Sequence, residues 1–565
     1  MSENQLEESN TENMLDSFDH VVVLMLENRS FDNLLGYLYQ PSEIKSTFPL
    51  GQQFEGLYEG EHCNPIPSWA DAPIGIDKVC VTRSTNYHYP YPDPGEVYAH
   101  VNTQLFGCLN PESNRGLSDE DIQSPFNLPN SVPNPPPMNG FVMDYISTLQ
   151  ALKDSENNLC AKKPSLLKKL CLLVQRLYQF FVATCLKKRE PPEIKDGYEN
   201  YKRIMECFQP DQVPVLSTLA KEFAVFDHWH CSVPSQTWCN RAFWHASTSW
   251  GHVINGPNLD WIKDSEGKTL FNLMEETKLS WNVYTDNPVS LTGIIHACAL
   301  ESFHFDPSHF KSMSDFLKDV QAGTLPKYSF VEPRFLTPHN DQHPSSYDST
   351  AYGESAVGSV LLGDLLINQV YNAIRTSNSE TGNNWQNTLL IITHDEHGGC
   401  YDHVAPSSTI PPGASSRQEE GFQFDRMGVR VPMVMVSAHI KPNTIVNTSY
   451  EHSSFIKTMC QKWGLPHLTK RDENAPVFSE VFTSKSCRDV STWPVIPDPT
   501  LPEGWQDIDF SEAPLNDLQH SILQTATALT KTKNAGLDTS QIKTVGEANK
   551  ILQSITDLPG AKVNE

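Results

Sequence analysis

A short apolar run, Val21 to Leu26, follows His20 and ends without a turn residue in Glu27-Asn28-Arg29-Ser30. An unbroken, β-branched-rich run of this length predicts a central strand buried on both faces, as in a parallel sheet. Its polar end falls where open α/β sheets place their ligand crevice. Ser30 or Asn28 is suited to cap a helix starting near Phe31. A second run, Leu389 to Thr393, repeats the design and ends in His394-Asp395-Glu396-His397, with Gly398-Gly399 letting the backbone turn. Further strands are predicted at 223–226, 281–285, 328–331 and 431–437, with helices at 310–322 and 355–374 and one carrying Leu216, Leu219 and Ala220. Strands alternating with helices predict an α/β sandwich around a mostly parallel sheet.

Between these elements the pattern changes three times. Residues 37–140 are rich in Pro, Gly and Asn. The stretch 125–140 reads as extended loop, and the turn Asp93-Pro94-Gly95-Glu96 leads into a short helix. Residues 160–189 carry Lys162, Lys163, Lys168, Lys169, Arg176, Lys187, Lys188 and Arg189 and no acid. Apolar residues at 166, 170, 173, 174, 177, 180 and 181 keep helical spacing. This reads either as an inserted helix with solvated lysines or as an interfacial helix on anionic lipid. In the second reading Lys168, Lys169, Arg176, Lys187 and Lys188 dock on a phospholipid surface. From about 516 onward, short amphipathic helices rich in Thr, Lys and Gln take over. The chain thus divides into a disordered acidic 1–17, a catalytic 18–510 with the basic insertion at 160–189, and a helical C-terminal appendage at 511–565 without chemistry of its own.

The formal net charge of −26 over 565 residues argues against general nucleic-acid binding, which needs a basic surface. The 13 cysteines include no CxxC pair, so a zinc knuckle is not supported. Their odd number leaves one thiol over and favours a reducing compartment. Neither a secretory h-region nor a run of the roughly 18 apolar residues a spanning helix needs is found. The expectation is a soluble or peripheral protein, cytoplasmic or exported outside the general route, delivery into a host cell included.

Two strand ends offering adjacent oxygens, Glu27 with Asn28 and Asp395 with Glu396, suit one divalent cation. Carboxylates gathered this closely repel unless a metal or proton lies between them. Alone, each cluster is also what an ordinary strand end looks like. Thr237, in Ser235-Gln-Thr237-Trp-Cys239-Asn240-Arg241, is either a helix cap or a hydroxyl able to attack phosphorus. His339-Asn-Asp341-Gln-His343, with His296, His403 and His452, supplies imidazoles for charge balance, proton transfer or a second metal.

Four motifs in order carry a family resemblance. They are Glu27-Asn28-Arg29-Ser30-Phe31-Asp32, Thr237-x-x-Asn240-Arg241, Asp395-Glu396-x-Gly398-Gly399-x-Tyr401-Asp402-His403-Val404, and Gly428-Val429-Arg430-Val431-Pro432. Together they resemble the phosphoesterase family of non-specific phospholipases C and a related acid phosphatase, in patches from about 18 to 470. The resemblance implies an alkaline-phosphatase-like α/β core and metal-dependent phosphoester hydrolysis. It implies Thr237 as nucleophile and ligand, with Glu27, Asn28, Asp395 and Glu396 completing a site for zinc, calcium or magnesium. Asp341 and His343 fall on the leaving-group side, His343 as the acid. The expected reaction is phospholipase C cleavage to diacylglycerol and a phosphorylated head group. The alternatives are a broad phosphomonoesterase and a decayed lipid-binding protein. Two departures stand out: Glu96, where relatives commonly carry His, and Cys239, where they carry Pro. Glu96 facing phosphate implies either a neutralised carboxyl or a second cation.

Overall fold

Val21 to Leu26 are wholly buried, as their unbroken apolar pattern requires. They form β1 (His20–Leu26) of a large sheet that also holds β2 (Ala224–Phe226), β3 (Trp281–Thr285), β4 (Phe310–Lys311), β5 (Tyr328–Glu332), β6 (Thr388–His394), β7 (Met433–Val436) and β8 (Thr444–Val446). In this computed structural model, which describes residues 14–40, 52–58, 60–161, 195–255, 261, 265, 267–301, 307–336, 338–344, 358–413, 415, 417–484 and 486–558, the strand order is β8-β2-β7-β6-β1-β5-β3-β4. Only β7 runs against its neighbours; the other pairings are parallel. β1 therefore lies between two parallel partners, β5 and β6.

The helices relevant here are α1 (Phe31–Leu35), α2 (Tyr98–Phe106), α3 (Phe141–Ala161), α4 (Pro214–Glu222), α5 (Thr237–Ala246), α6 (Met313–Ala322), α7 (Ser359–Thr376), α8 (His452–Trp463), α9 (Asp517–Leu529) and α10 (Val545–Leu552). Strand alternation sends them to two faces. Tyr328 and Phe330 of β5 touch His245 of α5, and Tyr328 also touches Phe455 of α8. Tyr284, whose register partner is Val331, points the other way and meets Phe316 of α6 edge-on. The result is the expected α/β sandwich with a mostly parallel sheet.

Local chemistry adjusts some of the expected limits. The helix foreseen over 310–322 starts at Met313, because the Ser312 and Asp315 side chains form a reciprocal capping box. Phe310–Lys311 is released to become the edge strand β4. Within the segment expected to be disordered at 1–17, Leu15 is buried and Met14 packs on the core; residues 1–13 lie outside the described residues. The basic stretch, with Lys168, Lys169, Arg176, Lys187 and Lys188, also lies outside them. A disulfide joins Cys63 to Cys80 across a short antiparallel pair, Cys63–Pro65 with Lys78–Cys80. The sequence favours a reducing compartment and shows no pairing: cysteines far apart in sequence have no spacing motif, but the register sets these two opposite each other. No helix among the described residues is long and apolar enough to cross a membrane.

Candidate active site

Glu27 and Asp395 leave adjacent parallel strands at the same edge, since Leu26 of β1 is in register with His394 of β6. The Asn28 backbone N–H donates to Asp395 Oδ1 at 3.2 Å. Asn28 has a φ of 52°, a left-handed conformation that Asn tolerates better than most residues. Gly398 and Gly399, at φ values of 60° and 63°, let the second strand end fold against the first. A Cβ on Gly398 would lie 2.2 Å from the Asn28 carbonyl oxygen, and one on Gly399 would lie 2.6 Å from that of Gly95. The same close approach brings the Asp93–Glu96 turn over the site. Glu96 Oε2 accepts from Asn28 Nδ2 at 2.5 Å.

Thr237 opens α5, but it is not the cap. Gln236 holds that position and makes no capping side-chain bond. The Thr237 hydroxyl points instead toward Glu27 Oε2 at 3.2 Å and Asn28 Oδ1 at 3.4 Å. A hydroxyl at the N-terminus of a ten-residue helix also faces the positive end of its dipole, which favours an incoming phosphate. Asn240 plays a positioning part. Its amide donates to the carbonyls of Val233, Ser235 and Gln236 and accepts from Val233 N–H, fixing the turn before Thr237. Cys239 points its thiol at the carbonyls of Gln236 and Val253, so the lost proline leaves the turn held by other bonds. One turn along α5, Arg241 pairs with Glu27 Oε1 and reaches Asp395 Oδ2 at 3.5 Å.

The site is rich in buried acid. Burial, reinforced by neighbouring carboxylates, pushes Glu27 and Glu396 well above the usual range, against the opposing pull of Arg241 on Glu27. Glu96 is raised well above the usual carboxylate range by burial and by facing Glu396, with Asp517 adding to the effect. That direction favours the neutralised carboxyl, which does not repel phosphate. Asp395 Oδ2, Glu396 Oε1 and Glu96 Oε1 are buried without hydrogen-bond partners. Orphaned carboxylate oxygens beside the Asn28 and Thr237 oxygens are a donor set that fits a divalent cation, with only oxygens offered. Two tighter groupings of potential ligands lie elsewhere: Asp32-Asp402-His403 and Cys460-His467-Asp472. In the first, the Arg430 guanidinium already bonds both carboxylates.

The histidines divide. His343 Nε2 lies 3.1 Å from Asn28 Nδ2, while Nδ1 faces the Pro344 carbonyl at 2.9 Å and Asp93 at 3.5 Å. Burial lowers its pKa to about 4, so the ring is neutral, with Nδ1 carrying the hydrogen. Asp341 Oδ1 accepts from His343 N–H at 3.0 Å and meets His339 Nδ1 at 2.8 Å; its carbonyl accepts from Glu27 N–H at 2.7 Å. Asp341 and His339 therefore support the site from behind. His452 Nε2 bonds the Asp395 carbonyl at 2.6 Å, fixing a strand end rather than facing phosphate. His403 belongs to the Asp32–Arg430 network. His296 packs among His245, Trp250 and Phe271, both ring nitrogens unpartnered. None of the contacts of these last two is with Glu27, Asn28, Thr237, Asp395 or Glu396 among the described residues.

Sequence reasoning passed over three contributors. Arg241 was visible in its motif, yet its pairing with Glu27 follows only from the turn of α5. Gln104 joins His397 to Asp144 through both ends of its amide, at 2.7 and 2.8 Å, and no spacing signals this. Asp517 of α9 adds its charge to those of Asp93 and Glu96. It also helps line a cavity of about 470 Å³ together with Val97, Gln236, Asp119, Glu420 and His520. Val97 and Gln236 are the immediate chain neighbours of Glu96 and Thr237, so this cavity adjoins the site.

The chain matches the phosphoesterase family over residues 18–156 and 186–466. Among curated proteins it is 30% identical over 480 residues to non-specific phospholipase C6 of Arabidopsis thaliana, covering 82% of this chain and 72% of that one. It is 29% identical over 567 residues to non-specific phospholipase C1 of the same plant, covering 94% and 83%. Phospholipase C A of Mycobacterium tuberculosis is 26% identical over 296 residues, covering 46% and 52%. Among solved structures, a protein in the alkaline phosphatase superfamily from Vibrio parahaemolyticus aligns over 48% of this chain and 68% of that one, at 14% identity and a TM-score of 0.29. The fold assignment rests on the sheet itself. With its four motifs gathered at one edge of that sheet, the chain belongs to the phosphoesterase family and is a phosphoric ester hydrolase.

Proposed function

We propose that the chain is a phospholipase C that cleaves glycerophospholipids to diacylglycerol and a phosphorylated head group, with Thr237 as nucleophile. The observation that carries the reading is the Thr237 hydroxyl at the start of α5, directed at Glu27 and Asn28 among orphaned carboxylate oxygens. The relatives named as phospholipases C supply the substrate class. A divalent cation held by Glu27, Asn28, Thr237, Asp395 and Glu396 would lower the hydroxyl's pKa and offset the phosphate charge.

Thr237 Oγ1 gives up its proton toward Glu27 and attacks phosphorus, and the bond to the diacylglycerol oxygen breaks. Phosphate charge beside His343 offsets the burial that keeps the ring neutral. The ring then takes up a proton from solvent at Nε2 and passes it to the departing alkoxide. Water next cleaves the phosphothreonine, its proton returning to Nε2 and the Thr237 oxygen recovering its own. Arg241 holds Glu27 and Asp395 in place throughout. A phospholipid surface is the partner this reading requires, and the basic 160–189 segment is a candidate to meet it.

Thr237→Ala tests the nucleophile. Hydrolysis of mixed phospholipids, followed as diacylglycerol release, should fall at least about a thousandfold. The thermal midpoint should stay within a few degrees, since only about 1 kcal/mol of hydrogen bonding is lost. Retained turnover would refute the assignment. Inorganic phosphate released in place of diacylglycerol would identify a monoesterase.

A further inference from the structure

Trp69, Ile74 and Ile76 are three of the seven large hydrophobic side chains exposed among the described residues, and they share one loop. Single exposed apolar residues are ordinary, whereas a cluster marks a contact surface. The loop is closed at its base by the Cys63–Cys80 disulfide and by the Cys63–Pro65 and Lys78–Cys80 pairing. Its tip is braced too. Ile66 N–H donates to the Asp77 carbonyl at 2.8 Å, Ala70 N–H to Pro67 at 2.9 Å, and Ile76 N–H to Pro73 at 3.0 Å. The Tyr201 hydroxyl donates to the Asp71 carbonyl at 2.7 Å. Pro73-Ile74-Gly75-Ile76 is thus a hydrogen-bonded turn, with Gly75 at a φ of 83°, the positive value a type II turn demands at its third position. The turn holds Ile74 fully exposed, and a Cβ at Gly75 would find no atom within 4 Å.

The loop also has a definite relation to the site. The Arg115 guanidinium sits 4.6 Å above the Trp69 ring. Leu117, Ser118, Asp119 and Glu120, next along the chain, line the cavity beside Glu96 and Thr237. Gly116 N–H is tied to Ser147 Oγ of α3 at 2.8 Å, and α3 lines the same cavity through Thr148 and Ala151. One wall therefore carries the apolar tip and the cavity rim.

We propose that the 63–80 loop is an interfacial anchor that inserts Ile74 and Ile76, with Trp69 at the boundary, into the phospholipid layer from which substrate is drawn. This rests on the phospholipase reading. Rigid presentation matters because a pre-ordered tip loses little conformational freedom on insertion. The flanking Asp71, Asp77 and Lys78 leave the tip without net positive charge, so apolar burial drives the contact and zwitterionic lipid suffices.

The test compares the full chain with an Ile74→Ser, Ile76→Ser double variant on phosphatidylcholine vesicles and on short-chain phosphatidylcholine kept below its micelle concentration. Both positions face solvent, so the fold is not at risk. The expected result is about tenfold or greater loss of vesicle co-sedimentation and of vesicle hydrolysis, with monomeric lipid cleaved at the unaltered rate. Equal vesicle binding and hydrolysis by the two proteins would overturn the proposal, as would an equal fall on monomeric lipid. A dimer of the starting protein that the double variant dissociates would overturn it in favour of a second copy as occupant. Loop-dependent vesicle binding without cleavage of either lipid would support the anchor and refute the phospholipase reading instead.

Discussion

At the residue scale, Arg430 shows how this chain handles buried charge away from the catalytic centre. Its guanidinium bonds Asp32 and Asp402 at 2.8 and 2.9 Å, and His403 caps Asp32 at 2.6 Å from Nδ1. The groups facing His403 are Asp32, Glu55, Arg430 and the His62 ring 4.3 Å away. Burial alone would lower its pKa. Asp32 and Glu55 outweigh burial, Arg430 and His62, and raise it to about 10 from an ordinary 6.5. A histidine whose folded pKa is raised contributes stability that is fully present below the unfolded pKa and is lost as pH rises through the folded one. The window here is therefore pH 6.5 to about 10. His403→Gln should lower the unfolding free energy by on the order of a few kcal/mol at pH 6, and the gap from the starting protein should close above pH 10. Urea titrations at both pH values measure it; a gap independent of pH would contradict the charge assignment.

At the scale of elements, the apolar runs at 21–26 and 389–393 predicted two strands, and their polar ends predicted where chemistry would gather. Both were legible because a strand buried on two faces has no polar alternation to confuse the pattern. The edge strand Phe310–Lys311 was not, since two residues carry no period. Nor was the disulfide, which depends on a register fixed by neighbours. For the site, motif order brought Glu27, Asn28, Thr237, Asp395 and Glu396 into view and the resemblance singled out His343, while nothing in the sequence showed that His403 joins the Asp32–Arg430 network or that His296 joins an aromatic cluster. The glycine pair was read correctly as a turn, and its role can be tested. Gly398→Ala places a Cβ 2.2 Å from the Asn28 carbonyl oxygen at a φ of 60°. The strain should cost about 3 kcal/mol and push the two strand ends apart. Chemical denaturation should register the loss, and hydrolysis should fall beyond what the unfolded fraction explains. Unaltered kcat in the folded fraction would mean that strand-end spacing does not set the site.

At the scale of the whole molecule, the question is whether residues 511–565 are an appendage or part of the enzyme body. Leu518, Ile522, Leu523 and Ala526 of α9 and Val545, Ala548 and Leu552 of α10 share one buried cluster with Trp238, Ala242 and Phe243 of α5. Gln519 Nε2 donates to the Phe335 carbonyl at 2.6 Å, and Asp517 lines the cavity next to Thr237. Helices that share a buried cluster with α5 cannot unfold without disturbing it. Leu523 is fully buried, so Leu523→Ala removes apolar contacts and leaves a cavity, at a cost of about 2–5 kcal/mol. If the C-terminal helices are integral, that loss shifts the single main transition seen by both tryptophan fluorescence and circular dichroism. If they are a separate unit, the main transition stays where it is and a small early phase appears or grows. The shared cluster predicts the first outcome. It also predicts that ending the chain at residue 510 exposes Trp238 and Phe243 and yields an aggregating, inactive protein rather than a trimmed enzyme.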